Sequence, residues 1–129
     1  MPQTITVKLE NGSPTIYQNP NPGDLAFGDK VPLTLAGFPS GAKVTAVSVY
    51  TNVTKNGSDA KGDLIGTWKS SDPGVEPETE LGFSVDDKGV VTIEDTDETA
   101  DEKLWYGVTV TAGVQSWTVD PELIVKKKE

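Results

Sequence analysis

The sequence predicts an all-β protein, built as an antiparallel β-sandwich or barrel of about seven to nine strands. Three observations carry this prediction. Apolar residues recur mainly at every second position, which is the period of a strand with one covered face. Clusters of Gly, Pro, Asn and Asp separate the apolar runs, and no segment keeps an apolar stripe at helical spacing. The 129 residues fit one domain, residues 1–129.

The first half of the chain contains four predicted strands. The first two alternate apolar with polar residues, as in "TITVKLE", where Ile5, Val7 and Leu9 share one face. The third is rich in β-branched residues, and the fourth is short and carries Trp68. Polar or proline-rich loops are expected between the strands, and the Asn-Gly pairs at 11–12 and 56–57 favour tight turns. The four segments are "TITVKLE" (4–10), "KVPLTLAGF" (30–38), "KVTAVSVYT" (43–51) and "DLIGTWKS" (63–70), and the loops include "NPNPGD", "FPSG", "KNGSDAKGD" and "SDPGVEPE".

The second half predicts two hairpins. In "ELGFSVDDKGVVTIE", residues 80–94, apolar alternation flanks a turn at "DDKG". In residues 103–125 we expect the turn at Ala112-Gly113, because glycine adopts positive φ without strain. That turn places Val108 opposite Trp117 and Tyr106 opposite Val119. The predicted core face of this second hairpin consists of Leu104, Tyr106, Val108, Val110, Trp117, Val119, Leu123 and Val125.

Trp105 falls on the opposite face of the second hairpin, among threonine and small residues. Side chains alternate between the two faces of a strand, so Thr109, Thr111 and Thr118 join Trp105 there. A tryptophan in such a place offers a platform for a sugar ring or a partner protein. The explanation that we favour is that a loop or the N-terminal segment covers Trp105, and an exposed binding platform is the alternative. We take the face of Trp105, Thr109, Thr111 and Thr118 as the candidate binding surface.

The composition argues against catalysis and against several classes of partner. The chain has no histidine and no cysteine, and all eleven of its basic residues are lysines. It therefore lacks the side chain that titrates most readily near neutral pH, the thiolate nucleophile and the bidentate arginine fork. The net charge of -9 disfavours nucleic acids and anionic membranes. We expect no enzymatic activity, no cofactor, no nucleic-acid partner and no membrane partner, with a weak hydrolase using two carboxylates as the least favoured option.

The densest acidic run is "EDTDETADE", residues 94–102, with six carboxylates in nine positions. Clustered oxygen ligands on a loop suit calcium, and Asp95, Asp97 and Asp101 are the candidate ligands. The spacing differs from that of an EF-hand loop. A solvated acidic loop explains the run without any metal, and we favour that explanation while keeping weak calcium binding as an alternative.

Residues 101–113, "DEKLWYGVTVTAG", resemble the penultimate strand of an immunoglobulin-like sandwich. In that family an aspartate precedes a tyrosine near the start of the strand, in the arrangement called the tyrosine corner. Here Asp101 precedes Trp105 and Tyr106, although the cysteine pair of antibody domains is missing. The segment "VDPELIV", with Asp120-Pro121, is similar to a small group of uncharacterised bacterial proteins, the DP-EP family. Both resemblances imply an immunoglobulin-like antiparallel β-sandwich, and neither implies an established activity.

Together these observations predict a non-catalytic binding or structural domain. Its partner is expected to be another protein or further copies of the same chain, met through an exposed sheet face or loops. A carbohydrate-binding module and a phage or virion surface domain are the alternatives. The N-terminus lacks a basic segment followed by an apolar core, so we expect no secretory signal and favour the cytoplasm. Residues 126–129, "KKKE", are expected to form a flexible tail.

Overall fold

The structure, a computed structural model, describes residues 3–19, 23–26, 28–72, 81–95 and 102–127. All the regular secondary structure in these ranges consists of β-strands. None of the described residues forms a helix long and apolar enough to span a membrane. The strands are β1 (Thr4–Glu10), β2 (Ser13–Asn19), β3 (Gly23–Ala26), β4 (Lys30–Ala36), β5 (Lys43–Lys55), β6 (Ser58–Lys69), β7 (Leu81–Val85), β8 (Val91–Asp95), β9 (Glu102–Ala112), β10 (Gln115–Thr118) and β11 (Glu122–Lys127).

The strands form two sheets that enclose one hydrophobic core. The first sheet has the strand order β2-β1-β4-β8-β7. The second has the order β3-β11-β9-β5-β6, and β10 pairs with the end of β9 that β11 leaves open. In the described part of the chain each sheet has two edge strands and does not close on itself. The fold is therefore a sandwich, and the barrel alternative is wrong. The predicted all-β sandwich is confirmed.

The described chain has more strands than the predicted seven to nine, and its sheets are mixed rather than purely antiparallel. β1 pairs parallel with β4, and β3 pairs parallel with β11. β2 and β3 gave little sequence signal, because β2 contains one buried apolar residue, Ile16, and β3 has only four residues, of which Leu25 is buried. Strand pairing with neighbours, rather than alternation of their own residues, fixes these two elements.

Two Asn-Gly pairs form the tight turns that the sequence predicted. Asn11 and Gly12 have φ of 51° and 79°, and Asn56 and Gly57 have φ of 52° and 80°. Positive φ at both central residues is the signature of the type I′ turn, whose twist matches that of paired strands. The segment 55–63 is therefore no loop: β5 and β6 continue to Lys55 and Ser58 on either side of the second turn.

Large aromatic side chains fill the space between the sheets. Trp68 of β6 is fully buried and stacks on Phe83 of β7, with ring centroids 5.7 Å apart. Tyr106 of β9 is also fully buried, and its hydroxyl donates a hydrogen bond to Oε1 of Gln18 at 2.7 Å. Gln18 in turn donates from Nε2 to the carbonyl oxygen of Leu123 at 3.2 Å. This inward-facing glutamine of β2 thus links the two sheets and satisfies the buried phenol.

The tyrosine corner is not formed by either of the two candidate aromatic residues. In a corner the tyrosine hydroxyl bonds to nearby backbone, whereas Tyr106 donates to a side chain of the other sheet and Trp105 donates to Asn52. Asp101, the acidic residue of the proposed motif, lies outside the described residues. Burial raises the pKa of the Tyr106 phenol above its ordinary value, which favours the protonated hydroxyl that donates to Gln18.

The core face predicted for β9 is confirmed, but the hairpin register is not. Leu104, Tyr106, Val108 and Val110 are all buried. The turn lies at Gly113-Val114, so Trp117 pairs with Val110 rather than with Val108. Gly113, with φ of 61°, takes the first turn position, where the chain needs positive φ and alanine would be strained. The shift of two residues keeps the side chains of β9 and β10 on their predicted faces.

The predicted core positions Leu123 and Val125 are wrong. The described chain has no strand pairing at Asp120-Pro121, and proline lacks the N–H that would continue the ladder. Alternation restarts in β11 with the opposite phase, so Ile124 pairs with Leu104 and is buried, while Leu123 faces outward beside Trp105. β11 also runs two residues into the predicted flexible tail, because it continues to Lys127.

Glu122 pairs with Tyr106 at the rim of the core. Burial and the charge of Asp120 raise the pKa of its carboxyl above the ordinary value of 4.5. When a carboxyl has a higher pKa in the folded than in the unfolded state, its ionisation destabilises the fold. This destabilisation is absent below the unfolded-state pKa and is complete once the pH has risen through the folded-state pKa.

We therefore expect Glu122→Gln to raise the free energy of unfolding at about pH 7 and to change it little at about pH 3.5. Urea denaturation at both pH values measures the difference. Asp63→Asn, at an exposed carboxylate of β6, is the control for the change in net charge. The same pH dependence in both variants would contradict this account of Glu122.

Candidate functional site

A row of four large side chains crosses the outer face of the second sheet. The register pairs Leu64 of β6 with Tyr50 of β5, Tyr50 with Trp105 of β9, and Trp105 with Leu123 of β11. Paired residues on neighbouring strands point to the same face, so the four lie side by side across four strands. We call Leu64, Tyr50, Trp105 and Leu123 the apolar row. Trp105 is therefore part of a continuous surface rather than a lone aromatic residue.

The apolar row is open to solvent to different degrees along its length. Leu64, at the edge strand β6, is 56% exposed, whereas Tyr50, Trp105 and Leu123 are partly buried by their neighbours. The Nζ atom of Lys61 lies 4.4 Å from the centroid of the Tyr50 ring, which is the geometry of a cation–π contact. The outer end of the row is thus a large exposed leucine beside a partly exposed tyrosine, and the ammonium group of Lys61 lies over the tyrosine ring.

A chain of polar contacts fixes the indole of Trp105. Its Nε1 donates to Oδ1 of Asn52 at 2.9 Å, and Nδ2 of Asn52 donates to Oδ1 of Asp59 at 3.0 Å. Lys103 Nζ contacts Oδ2 of Asp59 at 3.1 Å. The hydrogen bond from Asn52, followed by that from Lys103, lowers the pKa of the Asp59 carboxyl. The ring is therefore held in one orientation before any partner arrives, which lowers the entropic cost of binding.

The threonines of the candidate surface lie farther along the same face. Thr109 pairs with Thr118 of β10, and the hydroxyl of Thr111 lies 3.0 Å from that of Thr45 on β5. Thr118 is exposed, while Thr109 and Thr111 are partly buried. The structure thus places all four predicted residues on one face, with the threonines at one end and Trp105 at the other.

Pro121 separates the threonines from the apolar row. A Cβ atom at Gly107, midway between Trp105 and Thr109, would lie 3.5 Å from Cγ of Pro121 and 3.4 Å from the carbonyl oxygen of Val119. Glycine at this position lets the chain between β10 and β11 rest directly on β9. The candidate surface is therefore two adjoining patches, an apolar one and a hydroxyl-rich one.

The candidate calcium ligands are only partly described. Asp97 and Asp101 lie outside the described residues. Asp95, at the end of β8, is fully buried, and its backbone bonds to Gly28 and Asp29 rather than belonging to an open loop. Among the residues that the structure does describe, no three carboxylates come close enough together to hold a metal ion. The calcium alternative stays a prediction.

Comparison with known proteins adds no assignment. No protein-family model matches the chain, and no curated protein is significantly similar to it in sequence. Function has to be argued from the surface itself.

Sequence reasoning identified Trp105 but missed its three neighbours. Tyr50 had a usable signal, because it follows the buried pair Val47 and Val49 at the outward phase of β5. Leu64 had no such signal. The pairing of β5 with β6 is irregular on both sides of Tyr50, so the inward–outward alternation of β6 is interrupted at Leu64. Leu123 was assigned to the core because the change of phase at Pro121 was not recognised.

Proposed function

We propose that the protein is a non-catalytic binding or structural domain that makes protein–protein or homo-oligomeric contacts through the outer face of its second sheet. The observation that carries this proposal is the apolar row of Leu64, Tyr50, Trp105 and Leu123. Aromatic and large aliphatic side chains form the centre of most protein interfaces, and polar residues form the rim. The hydroxyls of Thr109, Thr111 and Thr118 supply such a rim.

Photocrosslinking from position 64 tests this proposal. A photoreactive amino acid replaces Leu64 in one protein and Tyr17 in a matched control. Tyr17 is a large side chain on the outer face of the first sheet and is 48% exposed. Irradiation in native cells is expected to give a discrete adduct from position 64 only, and mass spectrometry then identifies a second copy or another protein.

Trp105→Ala is expected to abolish that adduct while the fold persists. Since Trp105 is partly exposed, its truncation should cost about 1 kcal/mol of stability or less, leaving the far-ultraviolet circular dichroism unchanged. Equal adducts from positions 64 and 17, or an adduct that survives Trp105→Ala, would contradict the proposal. Loss of the fold in Trp105→Ala would show that this residue belongs to the core.

A carbohydrate-binding module is the second candidate, favoured by the polar groups beside Trp105. An open depression of about 360 Å³ adjoins them, lined by Thr51, Asn52, Glu102, Lys103 and Leu104. Aromatic rings flanked by a few fixed polar groups are typical of sites that orient small ligands. A glycan array, probed with and without calcium, separates the candidates: binding that Trp105→Ala removes would favour the carbohydrate function.

We also propose that the sandwich is immunoglobulin-like. The order β4-β8-β7 matches strands B, E and D of that fold, and β11-β9-β5-β6 matches strands G, F, C and C′. On this correspondence the apolar row lies on the G-F-C-C′ face. The narrower relation to the DP-EP family rests on Asp120-Pro121 alone, the dipeptide between β10 and β11.

A further inference from the structure

A separate cleft opens at one end of the sandwich, between the end of β4, the start of β5 and the turn that joins β7 to β8. Its volume is about 260 Å³. A closed apolar cavity of about 150 Å³ accommodates a benzene ring, so this cleft has room for a body of that size or somewhat larger. The apolar part of its wall consists of Leu33, Leu35, Ala42, Val44 and Val90.

The β7–β8 turn is firmly built. Oδ1 of Asp86 accepts hydrogen bonds from the backbone N–H groups of Lys88 at 2.8 Å and Val90 at 2.9 Å. Two backbone hydrogen bonds, from Asp86 to Val90 and from Gly89 to Asp86, close the same turn. The wall of the cleft that Lys88, Gly89 and Val90 provide is therefore preformed, which favours binding without rearrangement.

The methylene chain of Lys43 packs against Gly89 in the wall of the cleft. Gly89 has φ of 82°, and a Cβ atom there would lie 2.9 Å from Cδ and 3.0 Å from Cε of Lys43. Any larger residue at position 89 would displace that side chain. The absence of a side chain at Gly89 thus allows the methylene stem of Lys43 to pack against the turn while its amino group stays in solvent.

The charged side chains that line the cleft are opposite in sign to the net charge of the protein. The chain carries 20 acidic and 11 basic residues, yet the residues that line the cleft include Lys43 and Lys88 and no carboxylate. The ion pairs found between described residues are Lys8 with Glu10 and Lys103 with Asp59. Neither cleft lysine is neutralised by these pairs, so both ammonium groups are available to an anion.

We propose that this cleft binds a small organic anion with an apolar body, of the class of arylalkyl monocarboxylates. The body occupies the space between the leucines of β4 and Val90, and the carboxylate meets the ammonium groups of Lys43 and Lys88. Apolar walls supply contact area and the two charges fix the orientation, which is the usual division of roles in small-molecule sites. This site is independent of the apolar row and of the function proposed for it.

Titration with three matched compounds at low ionic strength tests the proposal. Phenylpropanoate, phenylpropanol and phenylpropylammonium share one apolar body and differ in charge. Two-dimensional NMR of the full chain is expected to show saturable shifts at the amides of Gly89 and Val90 with phenylpropanoate. We expect much weaker shifts with the alcohol and none with the ammonium compound.

Two double variants with the same net charge separate the cleft from general electrostatics. Lys43→Gln with Lys88→Gln is expected to weaken phenylpropanoate binding by about tenfold, because two exposed ion pairs are lost. Lys55→Gln with Lys69→Gln removes two exposed lysines elsewhere and should leave the affinity unchanged. Ala42→Leu, which fills the cleft, should abolish binding while the protein still unfolds cooperatively.

Three results would overturn the proposal. One is the absence of saturable shifts at Gly89 and Val90 with phenylpropanoate. The second is equal affinity for the anion and the cation, which would show that the lysines play no part. The third is an equal loss of affinity in the two double variants, which would assign the effect to net charge rather than to the cleft.

Discussion

Trp68→Ala is expected to lower the free energy of unfolding by about 3–5 kcal/mol, the range for deleting a large buried aromatic side chain. Trp68 has no exposed surface, and its stacking on Phe83 joins β6 of the second sheet to β7 of the first. Its removal leaves a cavity at the contact between the sheets. Since a domain of this kind has about 5–15 kcal/mol of total stability, the variant should lose a large share of it. Urea denaturation followed by circular dichroism measures the loss.

Trp105→Ala is the matched control for this experiment. The same side chain is removed from the outer face, where it is partly exposed and little core volume is lost. Its cost should be about 1 kcal/mol or less. A larger cost for Trp105→Ala than for Trp68→Ala would reverse the assignment of inside and outside on these strands.

Gly37→Ala is expected to destabilise the protein by about 3 kcal/mol. Gly37 follows β4 with φ of 79°, a conformation that costs an L-residue about 1–2 kcal/mol. A Cβ atom there would also collide with the backbone carbonyl oxygen of Leu9, at the end of β1. Backbone atoms cannot swing aside as a flexible side chain can, so the parallel pairing of β1 with β4 would have to distort.

Gly41→Ala is the control that carries the conformational strain without the collision. Gly41 lies in the same β4–β5 connection with φ of 85°, but a Cβ atom there meets nothing within 4 Å. Its cost should therefore be the conformational strain alone, about 1–2 kcal/mol. Equal losses for the two variants, measured by chemical denaturation, would show that the contact with Leu9 adds nothing.

Apolar alternation predicted those strands in which every second side chain faces the core without interruption. β1, β4, β8 and β9 follow the alternation in burial: Val31 and Leu33 of β4, for example, are buried while Pro32 and Thr34 are exposed. In β7 the alternation ends early, because Leu81 and Phe83 are buried but Val85 is 38% exposed. A period of two leaves the hydrophobic effect only one way to turn such a strand, so a single sequence determines it.

The unpredicted parts depend on contacts between distant segments. β2 and β3 are strands because β1 and β11 offer them hydrogen-bonding edges, and their own composition resembles that of loops. The change of phase at Pro121 and the irregular pairing around Tyr50 are local breaks in the period that no alternation rule detects. These two breaks turn Leu123 and Leu64 to the outer face, where they join the apolar row. Alternation therefore predicted Trp105, at the centre of the row, but not its neighbours.

The account depends most on the outward orientation of the apolar row, and solvent paramagnetic relaxation measures that orientation directly. With a soluble gadolinium chelate, the ring protons of Trp105 and Tyr50 and the methyl protons of Leu64 and Leu123 should relax clearly faster than the ring protons of Trp68. Relaxation of Trp105 as slow as that of Trp68 would contradict the account, because the residue at the centre of the row would then be buried.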